Sequence, residues 1–179
     1  MAAGGFIQTV KAEAMIACFD VYYREDHAQV AAVLINDWTD REPVRTYTIQ
    51  TPLAGEYQPG QFYKRELPVL EQLIAQIEEK LTYLVVDSYV YLGPDRPGLG
   101  VYLYEAMNKQ LPVIGVAKTH FRAAEEVEVP VLRGESAKPL FVTSIGCETA
   151  WAAARISEMT GPYRMPDILK LADQLSKSD

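Results

Sequence analysis

Two short runs of almost continuous apolar residues constrain the fold of this chain more than any other feature. They are LTYLVVD at residues 81–87 and PVIGVA at residues 112–117. A strand that lacks polar alternation is typical of a parallel sheet buried on both faces. Residues 98–108, between the two runs, have apolar side chains at helical spacing. The pattern predicts a βαβ unit whose sheet is covered by helices on both faces.

The first part of the chain predicts a different kind of strand pairing. Residues 15–23 and 29–38 have the composition of strands and are separated by the charged turn REDH, while residues 44–51 alternate polar and apolar side chains. Such short links favour an antiparallel meander. A helix with one apolar face is predicted over residues 66–81, just before the first buried strand.

The remaining segments complete a single predicted α/β domain over residues 1–179. The domain has one mixed sheet, with antiparallel first three strands and then βαβ units, flanked by helices. This order of elements resembles the ribonuclease H-like fold. The later elements are two further strands followed by two helices, at residues 127–133, 140–144, 148–159 and 166–177.

Charge and cysteine content narrow the function classes. The formal net charge is -7, so binding to nucleic acid would need a local basic surface. Cys18 and Cys147 form no CxxC or Cys/His cluster, which argues against a zinc site or a disulfide framework. No stretch has the pattern of a signal peptide or the length of a membrane span. We therefore expect a cytoplasmic protein, with residues 1–14 poorly ordered.

Two aspartates lie where a buried strand normally has apolar side chains. Asp20 interrupts the strand IACFDVYY, and Asp87 ends the apolar run YLVV. An ionised carboxylate in such a place is costly unless it is paired or bound to a cation. In a ribonuclease H-like sheet these two strands are neighbours, so the carboxylates are expected to face each other. Either one of them is protonated or a divalent cation lies between them.

Glu66 offers a third carboxylate, because it is predicted to open the helix that leads into the Asp87 strand. Three carboxylates without His or Cys favour Mg²⁺, with Mn²⁺ as an alternative. Such a metal site activates water for attack on a phosphodiester. Each residue also has a structural interpretation: Asp20 facing solvent on an edge strand, Asp87 capping a turn, and Glu66 complementing a helix dipole.

Lys118 directly follows the buried strand PVIGVA. The carboxyl ends of strands in α/β sheets are the usual ligand-binding edge, and a cation there would offset charge that develops on phosphate oxygens. The alternative is a solvated lysine at the end of a strand.

Several of these segments together resemble the endonuclease V family, in its order and at its spacing. They are FDVYY, GEYQPGQFYKRELP, VVDS, PVIGVAK and PLFVTSIG…GPYRMPDILKLAD, and they extend from residue 15 to residue 173. The most specific element is EYxPGxxxxRE. The resemblance implies a ribonuclease H-like fold and a Mg²⁺-dependent nuclease that cuts DNA or RNA near deaminated adenine, that is, inosine.

Carried over residue by residue, the resemblance implies a catalytic set of four residues. Asp20, Glu66 and Asp87 match the metal-binding carboxylates of the family, and Lys118 matches its catalytic lysine.

The resemblance also implies a nucleic-acid-binding segment. A wedge that probes the base stack would comprise Tyr57, Gln58, Pro59 and Gly60. Gln58 departs from the family motif. Lys64 and Arg65 would hold backbone phosphate.

The segment after Asp87 departs most from the family. The usual pattern DGxGxxHPRxxG is DSYVYLGPDRPG here, and the family's later GH is Gly146-Cys147. Both family histidines are therefore absent. We expect Ser88 and Val90, in place of glycines, to crowd the pocket for the extruded base.

The same departure replaces the family arginine with Asp95. This change removes positive charge near the phosphate. Arg96, one residue on, is a candidate replacement as a nucleic-acid contact, and Asp95 is a candidate additional metal ligand.

These features leave three functions open. The first is a Mg²⁺-dependent endonuclease with altered specificity or reduced activity. The second is a non-catalytic relative that binds nucleic acid or a protein partner. The third keeps the metal but acts on a small phosphate ester or nucleotide.

Overall fold

The computed structural model describes residues 14–53 and 61–179. These ranges contain four α-helices and nine β-strands. Seven of the strands form the main sheet, and the other two form a small hairpin. The strands are β1 (Met15–Tyr23), β2 (His27–Ile35), β3 (Arg45–Pro52), β4 (Leu81–Val86), β5 (Tyr91–Gly93), β6 (Arg96–Pro97), β7 (Val113–Ala117), β8 (Val129–Val131) and β9 (Leu140–Ile145). The helices are α1 (Phe62–Ile74), α2 (Leu99–Ala106), α3 (Thr149–Glu158) and α4 (Asp167–Lys177).

The main sheet is mixed, with the strand order β3-β2-β1-β4-β7-β9-β8. The pairs β1–β2 and β2–β3 are antiparallel, whereas β1–β4 and β4–β7 are parallel. The last two pairs, β7–β9 and β8–β9, are again antiparallel. The predicted ribonuclease H-like mixed sheet, with its antiparallel opening, is confirmed.

Helices cover both faces of this sheet, because successive side chains of a strand point to opposite sides. In β1, Ile16 and Cys18 pack into a core with α3 and α4. Ala17 and Phe19 pack into the opposite core with α1 and α2. By this alternation Asp20 belongs to the α4 side of the sheet.

The boundaries of α1 differ from the prediction. The helix begins at Phe62, four residues before Glu66, and ends at Ile74 rather than at residue 81. The segment beyond the helix contacts β3 instead: Arg45 and Tyr47 both donate hydrogen bonds to Glu79, at 2.9 and 2.7 Å. These bonds hold the segment after the helix against β3.

The structure contains no helix in the described ranges that is both long and apolar enough to cross a membrane.

Candidate active site

The parallel pairing of β1 and β4 brings two aspartates to one cavity. The last paired residues are Phe19 and Val86, so Asp20 and Asp87 follow at the same level on neighbouring strands. Both line a cavity of about 20 Å³, which is enough for one water molecule or a comparably small ion. Asp20 is buried, whereas the side chain of Asp87 is 36% exposed.

Helix α4 adds a third acid that sequence reasoning missed. Asp173 lines the same cavity, and Ser176, one turn further on, donates a 2.8 Å hydrogen bond to Asp20 Oδ2. In the sequence, Asp173 lies four residues after Leu169 and three before Ser176, next to the buried face of the helix. The sequence did contain a signal for this site, namely an acid beside the apolar face of a helix. However, Asp173 also pairs with Lys177 at i,i+4, which resembles an ordinary surface ion pair.

Glu66 is buried in the second turn of α1 rather than at the start of the helix. The prediction that it opens the helix was wrong, because residues from Phe62 onward already form the first turn. The negative charges of Asp87 and Asp20 nevertheless contribute to the raised pKa of Glu66, after burial. Glu66 therefore belongs to the same electrostatic cluster, although it approaches from α1 rather than from α4 and does not line the cavity.

Burial and mutual repulsion oppose ionisation of these acids. Burial, followed by the charges of Asp87 and Asp20, raises the pKa of Glu66 to about 8. Burial also raises the pKa of Asp20 to about 7, with the charges of Asp87 and Asp173 adding to the effect and the Ser176 hydrogen bond opposing it. Burial opposes ionisation of Asp173 too, but its bond from Lys177 leaves the pKa lowered overall. Asp20 and Glu66, the two buried acids, have no ion pair with a described lysine or arginine, whereas Asp173 pairs with Lys177.

Lys118 supplies a cation at the edge of this cavity. It lines the cavity, and its Nζ lies 3.6 Å from Asp87 Oδ2. Its backbone is held by Arg164, whose Nη2 donates to the carbonyls of Lys118 and Pro139. The sequence did not single out Arg164, because its bonds are to backbone carbonyls far away in the chain.

Tyr89 holds the segment that follows Lys118. Its hydroxyl donates to the Thr119 carbonyl at 2.8 Å and accepts from the Phe121 amide at 3.1 Å. It also lies 3.1 Å from Glu128. Together with Arg164, Tyr89 fixes the position of the lysine at the edge of the cavity.

A divalent cation fits this site by the type of its donor atoms. The donors are carboxylates only, which suits Mg²⁺ or Mn²⁺, and burial, with the charges of neighbouring acids, raises the pKa of Asp20 and Glu66. Across residues 14–53 and 61–179, however, no group of three or more His, Cys, Asp or Glu side chains is positioned to hold a metal ion. The candidate ligands are Asp20, Asp87 and Asp173, with Glu66 beside them.

Val90, which was expected to crowd the pocket for the extruded base, lies outside the carboxylate cavity, and the expectation about the base pocket stays a prediction. It is completely buried, and neither it nor Ser88 lines the cavity. Its side chain packs where Gly100 lacks a Cβ, since a Cβ there would lie 2.5 Å from Val90 Cγ2. The chain thus accommodates the larger residue by having a glycine on the neighbouring helix.

The Tyr89 hydroxyl is expected to contribute measurably to stability. Tyr89→Phe leaves the ring but removes the partner of the Phe121 amide, and an unsatisfied buried group costs about 1–3 kcal/mol. We expect a lower free energy of unfolding in urea and faster hydrogen exchange of the Phe121 amide. Tyr91→Phe is the matched control, since the structure shows no hydroxyl hydrogen bond from Tyr91 to the described residues. Equal stability of the two variants would contradict this role.

The predicted nucleic-acid contacts fall in three places. Lys64 is exposed on α1, and the half-buried Arg65 stacks over the Tyr23 ring at 4.1 Å. Arg96 is exposed on the β5–β6 hairpin near Phe121 and does not line the carboxylate cavity. Four predicted wedge residues lie outside the described residues: Tyr57, Gln58, Pro59 and Gly60.

Two other residues of interest also lie away from the cavity. Asp95, considered as an additional metal ligand, is exposed at the turn of the β5–β6 hairpin and does not line the cavity. His120, one of the two histidines, pairs with Glu128 at 3.2 Å. Neither the missing family histidines nor the missing family arginine is therefore replaced within the cavity.

Sequence comparison identifies the relatives of this chain. A sequence model of the family described as endonuclease V matches residues 6–130. Endonuclease V of Nocardia farcinica is 28% identical over 185 residues, covering 92% of this chain and 80% of that protein. Endonuclease V of Xylella fastidiosa strain 9a5c is 31% identical over 140 residues, covering 77% of this chain and 56% of that protein.

Solved structures share the fold. Endonuclease V from Streptomyces avermitilis has a TM-score of 0.73 at 23% identity, covering 93% of this chain and 81% of that one. Ciona intestinalis endonuclease V, in complex with a 24mer DNA containing an inosine followed by a ribo-adenosine, has a TM-score of 0.73 at 20% identity, covering 92% and 84%. At these identities the structures establish the fold, and the sequence match establishes the kinship. The chain belongs to the endonuclease V family.

Proposed function

We propose that this chain is a metal-dependent endonuclease that hydrolyses a phosphodiester near a deaminated base, inosine, in DNA or RNA. The observation that carries the proposal is the meeting of Asp20, Asp87, Asp173 and Lys118 around one small cavity. Membership of the endonuclease V family and the inosine-containing DNA bound to the Ciona relative support the reaction and the substrate.

Each residue of the cavity has a distinct part in this reaction. Asp20, Asp87 and Asp173, with Glu66 nearby, would hold Mg²⁺ or Mn²⁺. The bound metal supplies activation of water and stabilisation of the charge on the phosphate. Lys118, held by Arg164, offsets negative charge on the phosphate oxygens. Ser176 keeps Asp20 in a fixed orientation through its hydrogen bond.

The substrate would be engaged mainly outside this cavity. Tyr57 and Pro59, together with Gln58 and Gly60, are proposed as the segment that stabilises an extruded base. Lys64 and Arg65 lie on the helix that carries Glu66, so a phosphate held there would be close to the candidate metal ligands. Arg96 is a more distant candidate contact on the β5–β6 hairpin.

The test is an incubation of the pure protein with inosine-containing and matched plain oligonucleotides, as DNA and as RNA. We expect a nick only in the inosine strands and only when Mg²⁺ or Mn²⁺ is present. Equal cleavage of the plain strands would overturn the substrate assignment. Cleavage in EDTA would overturn the metal requirement.

A second candidate function is a non-catalytic member of the family that binds nucleic acid or a protein partner. Two observations favour it: the described carboxylates are not positioned around a metal, and the family histidines are absent from the chain. The same incubation separates the two functions. Binding of the inosine strand without cleavage in either metal would establish the second function.

A further inference from the structure

A second depression lies beside the first, at the turn between β1 and β2. It is an open groove of about 640 Å³ lined by Tyr22, Tyr23, Arg24, Glu25, Asp26 and Arg65. β1 connects it directly to the carboxylate cavity, because Asp20 and Tyr22 are two residues apart and therefore on the same face of the strand. On the other side, Arg65 is the chain neighbour of Glu66. The groove and the cavity are thus both built on β1, although none of the described residues lines both.

An exposed aromatic ring with two nearby cations marks the inner end of this groove. Tyr22 is 39% exposed. Arg24 Cζ lies 5.4 Å and Lys177 Nζ lies 5.8 Å from the centroid of its ring. Lys177 also contacts Asp173 Oδ1 at 2.9 Å, so it lies between the ring and the carboxylate cavity.

These side chains are supported by a fixed backbone. Arg24 donates hydrogen bonds from Nη2 to the carbonyls of Lys177 and Ser178, at 3.0 and 3.3 Å. Gln29, which pairs with Tyr22 in the sheet, donates to the carbonyls of Leu175 and Ser178. The end of α4, with Lys177, is therefore attached to β2 and to the turn that follows Tyr22.

We propose that this groove holds a single-stranded stretch of nucleic acid next to the scissile phosphate, with a base against Tyr22. This inference rests on the proposed function and extends it to the strand that flanks the cut. An aromatic ring that stacks on a base, combined with cations that meet phosphates, is the usual chemistry of single-strand binding. A base inside a duplex cannot reach such a ring, which favours an unpaired strand.

Positive charge is confined to one part of the groove. Arg24 and Arg65 in the groove, with Lys177 beside it, provide the cations. Glu25 and Asp26 place negative charge at the turn, and the exposed Asp179 lies 3.4 Å from Arg24. Asp26 is itself paired with His27 at 2.6 Å. The phosphates of a strand would therefore be held beside Tyr22, where the cations lie, and not around the acidic turn.

The test measures binding separately from cleavage. Fluorescence anisotropy with a labelled single-stranded inosine oligonucleotide in EDTA gives the affinity without the reaction. We expect Tyr22→Ala to weaken binding about tenfold, within the range for one base stacked on an aromatic ring. Tyr22→Phe, which keeps the ring, is expected to bind like the wild type. Photocrosslinking of a 5-iododeoxyuridine strand to the wild-type protein is expected to label the peptide that contains Tyr22.

Tyr163→Ala is the matched control, because Tyr163 is also exposed and also has a lysine near its ring, at 5.8 Å. Equal loss of binding in both alanine variants, unchanged binding by Tyr22→Ala, or crosslinking elsewhere would each overturn the groove assignment. If one of these outcomes is found but the wild-type protein still cuts inosine strands, only the groove assignment is overturned and the proposed function stands. If the wild-type protein neither binds nor cuts inosine strands, both the groove assignment and the proposed function are overturned.

Discussion

Asp87→Asn is expected to reduce cleavage of an inosine-containing strand by at least about a hundredfold, since changes even in the outer shell of a metal site commonly cost 10–100-fold. Asp87 is the most accessible acid of the cavity and contacts Lys118. The amide keeps the shape of the side chain but removes the charge that would bind the cation. Single-turnover cleavage at saturating Mn²⁺ measures the effect.

The matched control for this variant is Asp95→Asn. Asp95 belongs to the same connecting segment but is exposed on the β5–β6 hairpin, away from the cavity. We expect it to cleave within about twofold of the wild type, as surface substitutions usually have small effects. Wild-type activity in Asp87→Asn would remove this residue from the metal site. A large loss of cleavage in Asp95→Asn would instead indicate that Asp95 binds the metal after a conformational change on substrate binding.

The local patterns of the sequence predicted the sheet and the two acids that depend on it. β1 was predicted at its observed bounds, residues 15–23. Asp20 and Asp87 stood out because each interrupts or ends an apolar strand. Once the two strands are parallel neighbours, their strand positions bring the acids to one level of the sheet without further information.

The contribution of α4 could not be predicted in the same way. The position of Asp173 depends on how a helix near the end of the chain packs across the first strand, and nothing local to the residue encodes that packing. Ser176 shows the same limit. A small hydroxyl in a helical turn looks neutral in the sequence, yet it is completely buried and bonded to Asp20.

Val90 shows what a motif comparison leaves out. The replacement of a family glycine suggested a blocked pocket, because the comparison treats each position separately. In the fold, the space that Val90 needs is provided by Gly100. Gly115 provides room in the same region, since a Cβ there would lie 2.3 Å from the Ser88 carbonyl oxygen. The substitution is therefore absorbed in the core beneath the site.

Glu66→Gln is expected to make the metal-free protein more stable at pH 8 while it abolishes cleavage. Burial and the neighbouring acids raise the Glu66 pKa from 4.5 to about 8. The folded protein thus holds a proton that the unfolded chain has lost, and stability falls as the pH rises between these two values. The neutral amide avoids this penalty. Thermal unfolding in EDTA should show a gain of a few degrees at pH 8, because 1 kcal/mol corresponds to roughly 2–4 °C in a domain of this size.

The pH dependence and the metal response distinguish this effect from a simple gain in packing. Below about pH 4.5 the glutamate is protonated in both states, so the difference between Glu66→Gln and the wild type should disappear. Mn²⁺ should raise the melting temperature of the wild type more than that of the variant. Glu71→Gln, on the exposed side of the same helix, should leave both properties unchanged. A Glu66→Gln protein that is less stable at every pH would show that the carboxylate supports the fold rather than a cation, and the acids of α1 and β1 would then belong to separate functions.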